Sequence, residues 1–226
     1  MDRNDREAAV RFVRAATEPR PVPLVPRIRV CTAHELTPVW TEIGEDIPFW
    51  CVPWAGGQAV ARYVLDRPET VRGKHVMDLG SGGGVVAIAA SLAGAASVVA
   101  VDVDPIAAAA CDINAELNGV RIETWTTDAT RLDPETSDVD VVLAGDVWYE
   151  REPAARFDAW LRRVRGRARG SAIAITGDPG RSYVPRDLTE LARFDVPTTE
   201  ELEGARSKTT RVLAYPDMSP RVASAR

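Results

Sequence analysis

The chain has 226 residues, 45% of them hydrophobic, and a formal net charge of -5 with a pI near 5.2. That is enough apolar material for one domain with a full core, and an acidic surface argues against broad binding to nucleic acid or anionic membranes. Three dispersed cysteines, Cys31, Cys51 and Cys111, and two histidines, His34 and His75, leave no material for a disulfide framework, a zinc site or a Ser-His-Asp centre.

The chain reads as a reduced, cytoplasmic protein. Its only lysines are Lys74 and Lys208, while arginine and alanine abound, a bias of GC-rich bacterial coding with no mechanism in it. The N-terminus carries charges throughout and has no apolar core of the kind a secretory signal needs.

Taken in chain order, residues 5–16 space Ala8, Ala9, Phe12, Val13 and Ala16 as one helix face, which predicts a separable N-terminal cap. Four prolines follow within residues 19–26, predicting an extended linker. Residues 30–46 carry no assignable pattern, and helical period returns from Gly56.

Beyond residue 75 strands and helices alternate. Strands are expected at 75–79, 98–102, 121–126, 139–143 and 171–176, with helices at 85–92, 105–117 and 153–164. Further strands are expected at 193–196 and 209–215. Such alternation predicts an α/β domain with a mostly parallel sheet. Residues 85–101 resemble a membrane span in hydropathy only; Gly94 and Ser97 break the run, so helix, turn and strand fit better.

The stretch "VMDLGSGGGVVAIAA" places Asp78 at a strand end and Gly80, Gly82 and Gly84 in the loop that opens a helix. Glycines let the backbone approach a ligand, and the helix N-terminus offers unpaired amides. The dinucleotide fingerprint is absent, because Val85 stands where its third glycine belongs. Asp102 ends the next strand, where a carboxylate can accept two ribose hydroxyls, and Asp104 with Pro105 forms a helix cap. Asp128 follows the third strand.

The spacing D-x-G-x-G-x-G, with Asp102 and Asp128 in register, resembles the S-adenosylmethionine-dependent methyltransferases of the Rossmann-like, seven-stranded class I fold. Three further segments sharpen this: "PFWCVPWAGGQAVARYVLD", "DVWYE" after the fourth strand, and "ITGDPGR" after the fifth. Together they resemble the family-16 seven-β-strand protein lysine methyltransferases, and within them the enzymes, with bacterial relatives, that act on the electron-transfer flavoprotein β subunit. The resemblance covers residues 47–216, which sets expected bounds for the catalytic domain, with 1–46 as an N-terminal helix, linker and cap and 217–226 as a flexible tail.

The resemblance implies S-adenosyl-L-methionine as methyl donor and S-adenosyl-L-homocysteine as product. It assigns Trp54, Gly57, Gln58, Asp78, Gly80, Ser81, Gly82, Asp102, Val103, Asp128, Ala129 and Gly145 to the donor, and Asp146, Trp148 and Tyr149 to a catalytic acceptor pocket. No metal is implied. The expected partner is a protein with an accessible lysine, the electron-transfer flavoprotein β subunit being the candidate, acted on by a monomer without nucleic acid or membrane. Ala55 and Trp148 depart from the family's usual Pro and Phe.

An acidic residue beside two aromatics suits a cationic amine: Asp146 orients it, and the rings offer π-faces and apolar walls. Core packing competes for Trp148 and Tyr149, and helix capping for Asp146. The alternative enzyme methylates a small-molecule amine or ring nitrogen, nicotinamide-like or a natural product. A non-catalytic donor-binding protein and a dehydrogenase are the other classes; the intact acidic-aromatic segment opposes the first and the missing glycine the second. The basic cluster at 162–170 reads as a helix C-terminus, "TTEELEG" as a solvated turn or helix start, and "GDPGR" as a turn near the rim, from which Arg181 reaches substrate.

Overall fold

A computed structural model describes residues 6–33, 48–136, 138–167 and 172–216. The expected tail at 217–226, His34, Trp40, most of the unassigned stretch at 30–46 and part of the basic cluster at 162–170 lie outside them.

The first helix, α1 (Arg6–Ala16), buries Ala9 and Val13 against Ile106, Ala109 and Ala110, so it is docked on the domain. The proline-rich stretch is not a linker. It pairs with itself as the antiparallel strands β1 (Glu18–Val22) and β2 (Val25–Thr32). Proline is tolerated because this is an isolated two-stranded ribbon, where alternate amides need no partner. Val22, Val25, Ile28 and Val30 are buried against Ala61, Val85, Ile88 and Ala89, and that apolar contact holds the ribbon in place.

The main sheet has seven strands in the order β5, β4, β3, β6, β7, β9, β8. They are β3 (His75–Leu79), β4 (Ser97–Asp102), β5 (Glu123–Thr126), β6 (Val141–Gly145), β7 (Ile173–Asp178), β8 (Thr189–Pro197) and β9 (Ser207–Ala214). The first five run parallel, whereas β9 enters antiparallel between β7 and β8. The connecting helices are α2 (Ala55–Asp66), α3 (Val85–Leu92), α4 (Pro105–Leu117) and α5 (Arg151–Arg165), with a single turn, α6 (Glu200–Glu203), joining β8 to β9.

Strand side chains alternate between the two faces. Val76, Val141, Leu143, Ile175 and Val212 meet Ala59, Val60, Val86 and Ala90 of α2 and α3. Met77, Leu79, Val142, Ala144 and Ala174 meet Leu161, Val164 and Trp160 of α5. The sheet is therefore covered on both sides, and no helix among the described residues is long and apolar enough to cross a membrane. Strand order reverses between β3 and β6, and in open α/β sheets ligands bind outside the carboxyl ends at such a point.

The first turn of α2 is wedged onto that edge. A Cβ on Gly177 would lie 2.0 Å from Gly56 O, and one on Gly145 would lie 2.6 Å from Gly57 Cα. Neither contact admits a side chain, so glycine is required for the helix to reach the strand ends.

Candidate functional site

Each parallel strand brings an acidic residue to the same edge, at its end or just after it. Near the end of β3, Asp78 Oδ2 accepts the Ala87 amide at 3.0 Å and is fully buried, and burial pushes its pKa up to about 7. Gly80 and Ser81 both donate their amides to Val101 O, so they present backbone surface and not donors. Gly82 donates to Asp102 Oδ2 at 2.8 Å. The segment at Trp50 passes so close over the loop that a Cβ on Gly83 would lie 2.6 Å from Trp50 O.

Asp102 Oδ1 accepts the Asp104 amide at 3.0 Å, and burial raises the carboxyl's pKa. The backbone amides of Asp104, Gly82 and Val103 thus fix the carboxylate at the strand end. Beside it Val103 is 67% exposed, an apolar side chain turned outward at the sheet edge. A fixed carboxylate next to an outward apolar surface and a glycine cradle fits a ribose with its base. Asp128 accepts from Thr130 N and Oγ1. Burial opposes its charge, but those bonds and then Arg156 and Arg131 hold its pKa low. Ala129 is buried in the core, so only its backbone is at this edge.

After β6 the chain takes a sharp turn. Asp146 has φ 63°, the only left-handed non-glycine position among the described residues. Such a conformation costs about 1 kcal/mol or more, and the contacts of its carboxylate offset it. Arg181 Nε donates to Asp146 Oδ1 at 2.6 Å and Nη2 to Oδ2 at 3.0 Å, while Gly56 donates its amide to Oδ2 at 3.1 Å. The Asp146 side chain is 3% exposed, so the group at the mouth is Arg181.

Arg181 Nη2 also reaches Glu203 Oε1 at 2.8 Å, and its Cζ stands 5.9 Å from the centre of the Trp54 ring. Burial works against the guanidinium charge, but the hydrogen bonds and charges of Asp146 and Glu203 outweigh it and raise its pKa. Asp178 Oδ1 accepts the Arg181 amide at 2.8 Å and its Oδ2 accepts Arg211 at 2.7 Å, which fixes the loop after β7.

Tyr149 is 41% exposed and packs at 4.9 Å on Phe49, whose ring also meets Trp54 at 5.8 Å. Burial, then the charges of Glu150, Asp102 and Asp146, push the Tyr149 phenol up to about 12. One side chain therefore feels the carboxylates that end β4 and follow β6.

The structure separates some of the expected site residues from the rest. Trp148 does not line a pocket: it is fully buried in the core beneath the sheet and donates Nε1–H to Thr176 Oγ1 at 2.7 Å. The left-handed turn at Asp146 sends the next two side chains toward α5 and returns only Tyr149 to the edge. Trp54 takes over as the indole with a face toward a cation. Gln58 is buried, bridging Pro53 O and Leu24 N, and so anchors the ribbon. Gly57 and Gly145 serve the close approach of α2. Trp50 turns its indole into the core against Phe12, and Trp125 is exposed. Glu203, expected on a solvated turn or helix start, does lie on the helical turn α6, but its side chain is only 4% exposed.

Sequence reasoning missed Gly56, Phe49 and Glu203 and gave Arg181 no partner. The signals were present only as a doubled glycine before a helix and an arginine after a glycine turn.

A family profile described as ribosomal protein L11 methyltransferase (PrmA) matches residues 62–145. The chain is 40% identical over 185 residues to the electron transfer flavoprotein beta subunit lysine methyltransferase of Danio rerio, covering 78% of this chain and 70% of that one. It is 36% identical over 209 residues to the same enzyme of Xenopus laevis, covering 88% and 84%. Among solved structures, the 16S rRNA N2 G1207 methyltransferase of T. thermophilus superposes with a TM-score of 0.51 at 19% identity, covering 73% of this chain and 43% of that one, a likeness of fold. With the fold and an identity of 36% and 40% to these relatives over most of the chain in agreement, the chain belongs to the electron transfer flavoprotein beta subunit lysine methyltransferase family.

Proposed function

We propose that this protein transfers methyl groups from S-adenosyl-L-methionine to lysine side chains of a protein, with the electron transfer flavoprotein beta subunit, named for its relatives, as the target. The observation that carries the reading is the buried, strained Asp146 set among Trp54, Phe49 and Tyr149 at the same strand edge as Asp102. Gly82, Asp102 and Val103 would hold the donor's ribose and base, with Asp128 toward the adenine amine.

The bound donor supplies a methyl carbon activated by a sulfonium. The chain's own task is to hold an amine lone pair in line with it, which needs orientation and no general acid. A lysine ammonium with a free pKa of about 10.4 must lose a proton first. Asp146 captures and orients the amine, its charge favouring the ammonium, while burial in the pocket favours the neutral, nucleophilic form. Tyr149, kept as a neutral phenol, supplies a wall and a hydrogen bond without a competing charge.

Tyr149 and Arg181 both reach solvent at the rim, which supports a macromolecular acceptor over an enclosed metabolite. The reading extends to a cytoplasmic, bacterial monomer that uses neither nucleic acid nor membrane, in keeping with its acidity and codon-like bias.

The test is transfer of labelled methyl into a lysate of a host lacking the gene, separated into protein and small-molecule fractions. Label in one protein band, lost with Asp146→Asn, is the expected outcome. Label confined to small molecules would replace the protein reading with an amine metabolite.

A further inference from the structure

Arg181 is shared between two carboxylates that are not equally satisfied. Asp146 receives three donors, two from the guanidinium and one from the Gly56 amide. Glu203 receives one, on Oε1, while its Oε2 is buried and has no hydrogen-bond partner. On the other side of the contact, Nη1 of Arg181 makes no hydrogen bond among the described residues. Arg181 thus keeps a donor unused, and Glu203 a buried acceptor.

We propose that Arg181 is a two-position latch on the acceptor site: it rests on Asp146 and transfers to Glu203 when a cationic amine arrives to take its place. The proposal rests on the reading above that the acceptor enters as an alkylammonium.

The geometry supports both positions. Guanidinium and carboxylate pair best as a fork on a fork, with two parallel N–H donors on two oxygens. Arg181 makes that pairing with Asp146 and only half of it with Glu203. A small rotation that keeps Nη2 on Oε1 and brings Nη1 to Oε2 completes it there. Trp54 lies under the guanidinium and offers its face across such a rotation.

Charge explains why the move waits for a cation. Two carboxylates and one guanidinium leave the cluster one negative charge in excess, and both carboxylates are at most 4% exposed on their side chains. Stripping Arg181 from Asp146 would leave a buried charge uncompensated, which strongly disfavours the open position. An incoming ammonium replaces that charge and brings the cluster to neutrality. A neutral alcohol or amide of similar shape does not, so the latch selects for cations before any methyl transfer. Glu203 sits on α6 in the connection between β8 and β9, next to Gly204 at φ 66°, which places its carboxylate at the same edge as Asp146.

The test is a titration of 15N-arginine-labelled protein with n-butylammonium chloride, following the Arg181 Nε–H resonance assigned by its loss in Arg181→Lys. The expected result is a saturable shift with n-butylammonium and none with n-butanol or sodium chloride. Glu203→Gln keeps the size but removes the charge, and it should weaken that response about tenfold by disfavouring the open position. An unmoved wild-type resonance, or an identical response in Glu203→Gln, overturns the latch.

Kinetics with the methylated acceptor give a second reading. Glu203→Gln should raise the acceptor KM about tenfold while leaving kcat at saturation unchanged. In an Arg181→Met background the same substitution should change KM by less than about twofold, since Glu203 acts only through Arg181. Equal effects in both backgrounds would make Glu203 a direct acceptor contact and overturn the latch. A resonance shift in a protein that methylates no lysine would overturn the lysine reading and leave the latch. Lysine methylation with an unmoved resonance would do the reverse.

Discussion

The two halves of the strand edge are built by different means. Over β3, β4 and β5 the carboxylates are held by backbone amides: Asp78 by Ala87, Asp102 by Gly82 and Asp104, Asp128 by Thr130. Over β6 to β9 the same edge is held by charged side chains far apart in sequence, Asp146 with Arg181 and Arg181 with Glu203. Backbone amides cannot leave, so the first half is a fixed mould for one ligand. Side-chain ions can exchange partners, so the second half can respond to what enters it. On the proposed function, the fixed half would take the constant donor and the responsive half the variable acceptor.

The largest expected break is Gly177→Ala, because the new Cβ would overlap backbone that carries both halves. A loss of about 3 kcal/mol or more in stability is expected, read as a lowered midpoint in thermal or denaturant melts. An unchanged melt would show that α2 is not fixed by this contact.

Charge removal sharpens the contrast. Asp146→Asn keeps a residue that tolerates the left-handed turn, so it should lower turnover about 100-fold while leaving donor affinity unchanged. Asp102→Asn should do the opposite, weakening donor binding about tenfold and sparing the acceptor KM. Calorimetric titration of the donor and steady-state rates on both variants check the pair; equal losses in both parameters would merge the two halves.

The third prediction concerns Asp78 beneath the fixed half. Its folded-state pKa, near 7, lies above the unfolded value near 3.8. The folded protein therefore binds the proton more tightly, and the stabilisation this gives is complete at acid pH and lost as pH rises toward 7. Asn does not titrate, so wild type should lose about 2 kcal/mol relative to Asp78→Asn between pH 5 and pH 7. Parallel stability curves for the two proteins would place the Asp78 titration elsewhere. The smallest effect is Trp148→Phe, which removes the bond to Thr176 and should cost about 1 kcal/mol in stability with no change in acceptor KM. A raised KM would return the indole to the pocket.

The same contrast decides what could be read from the sequence. The glycine loop, Asp102 and Asp128 are legible because each is a short local pattern at the end of a strand, and α3 and α4 fall at the expected residues for the same reason. Asp146 and Tyr149 are legible as positions after β6. The partners of Asp146 are not, because nothing local links residue 146 to 181 or 203. Trp148 points the other way because a single left-handed residue reverses the alternation that a strand end would impose. The proline-rich ribbon is missed because proline opposes strands in general, and only the absence of further pairing partners makes it acceptable here.

The wedge of α2 against β6 and β7 also bears on how new specificities can be bred. A backbone that admits no added methyl group is frozen against drift, so variation that reaches a foldable protein falls on the loops carrying Tyr149, Arg181 and Glu203. Libraries confined to those loops would explore new acceptors with the donor machinery left intact.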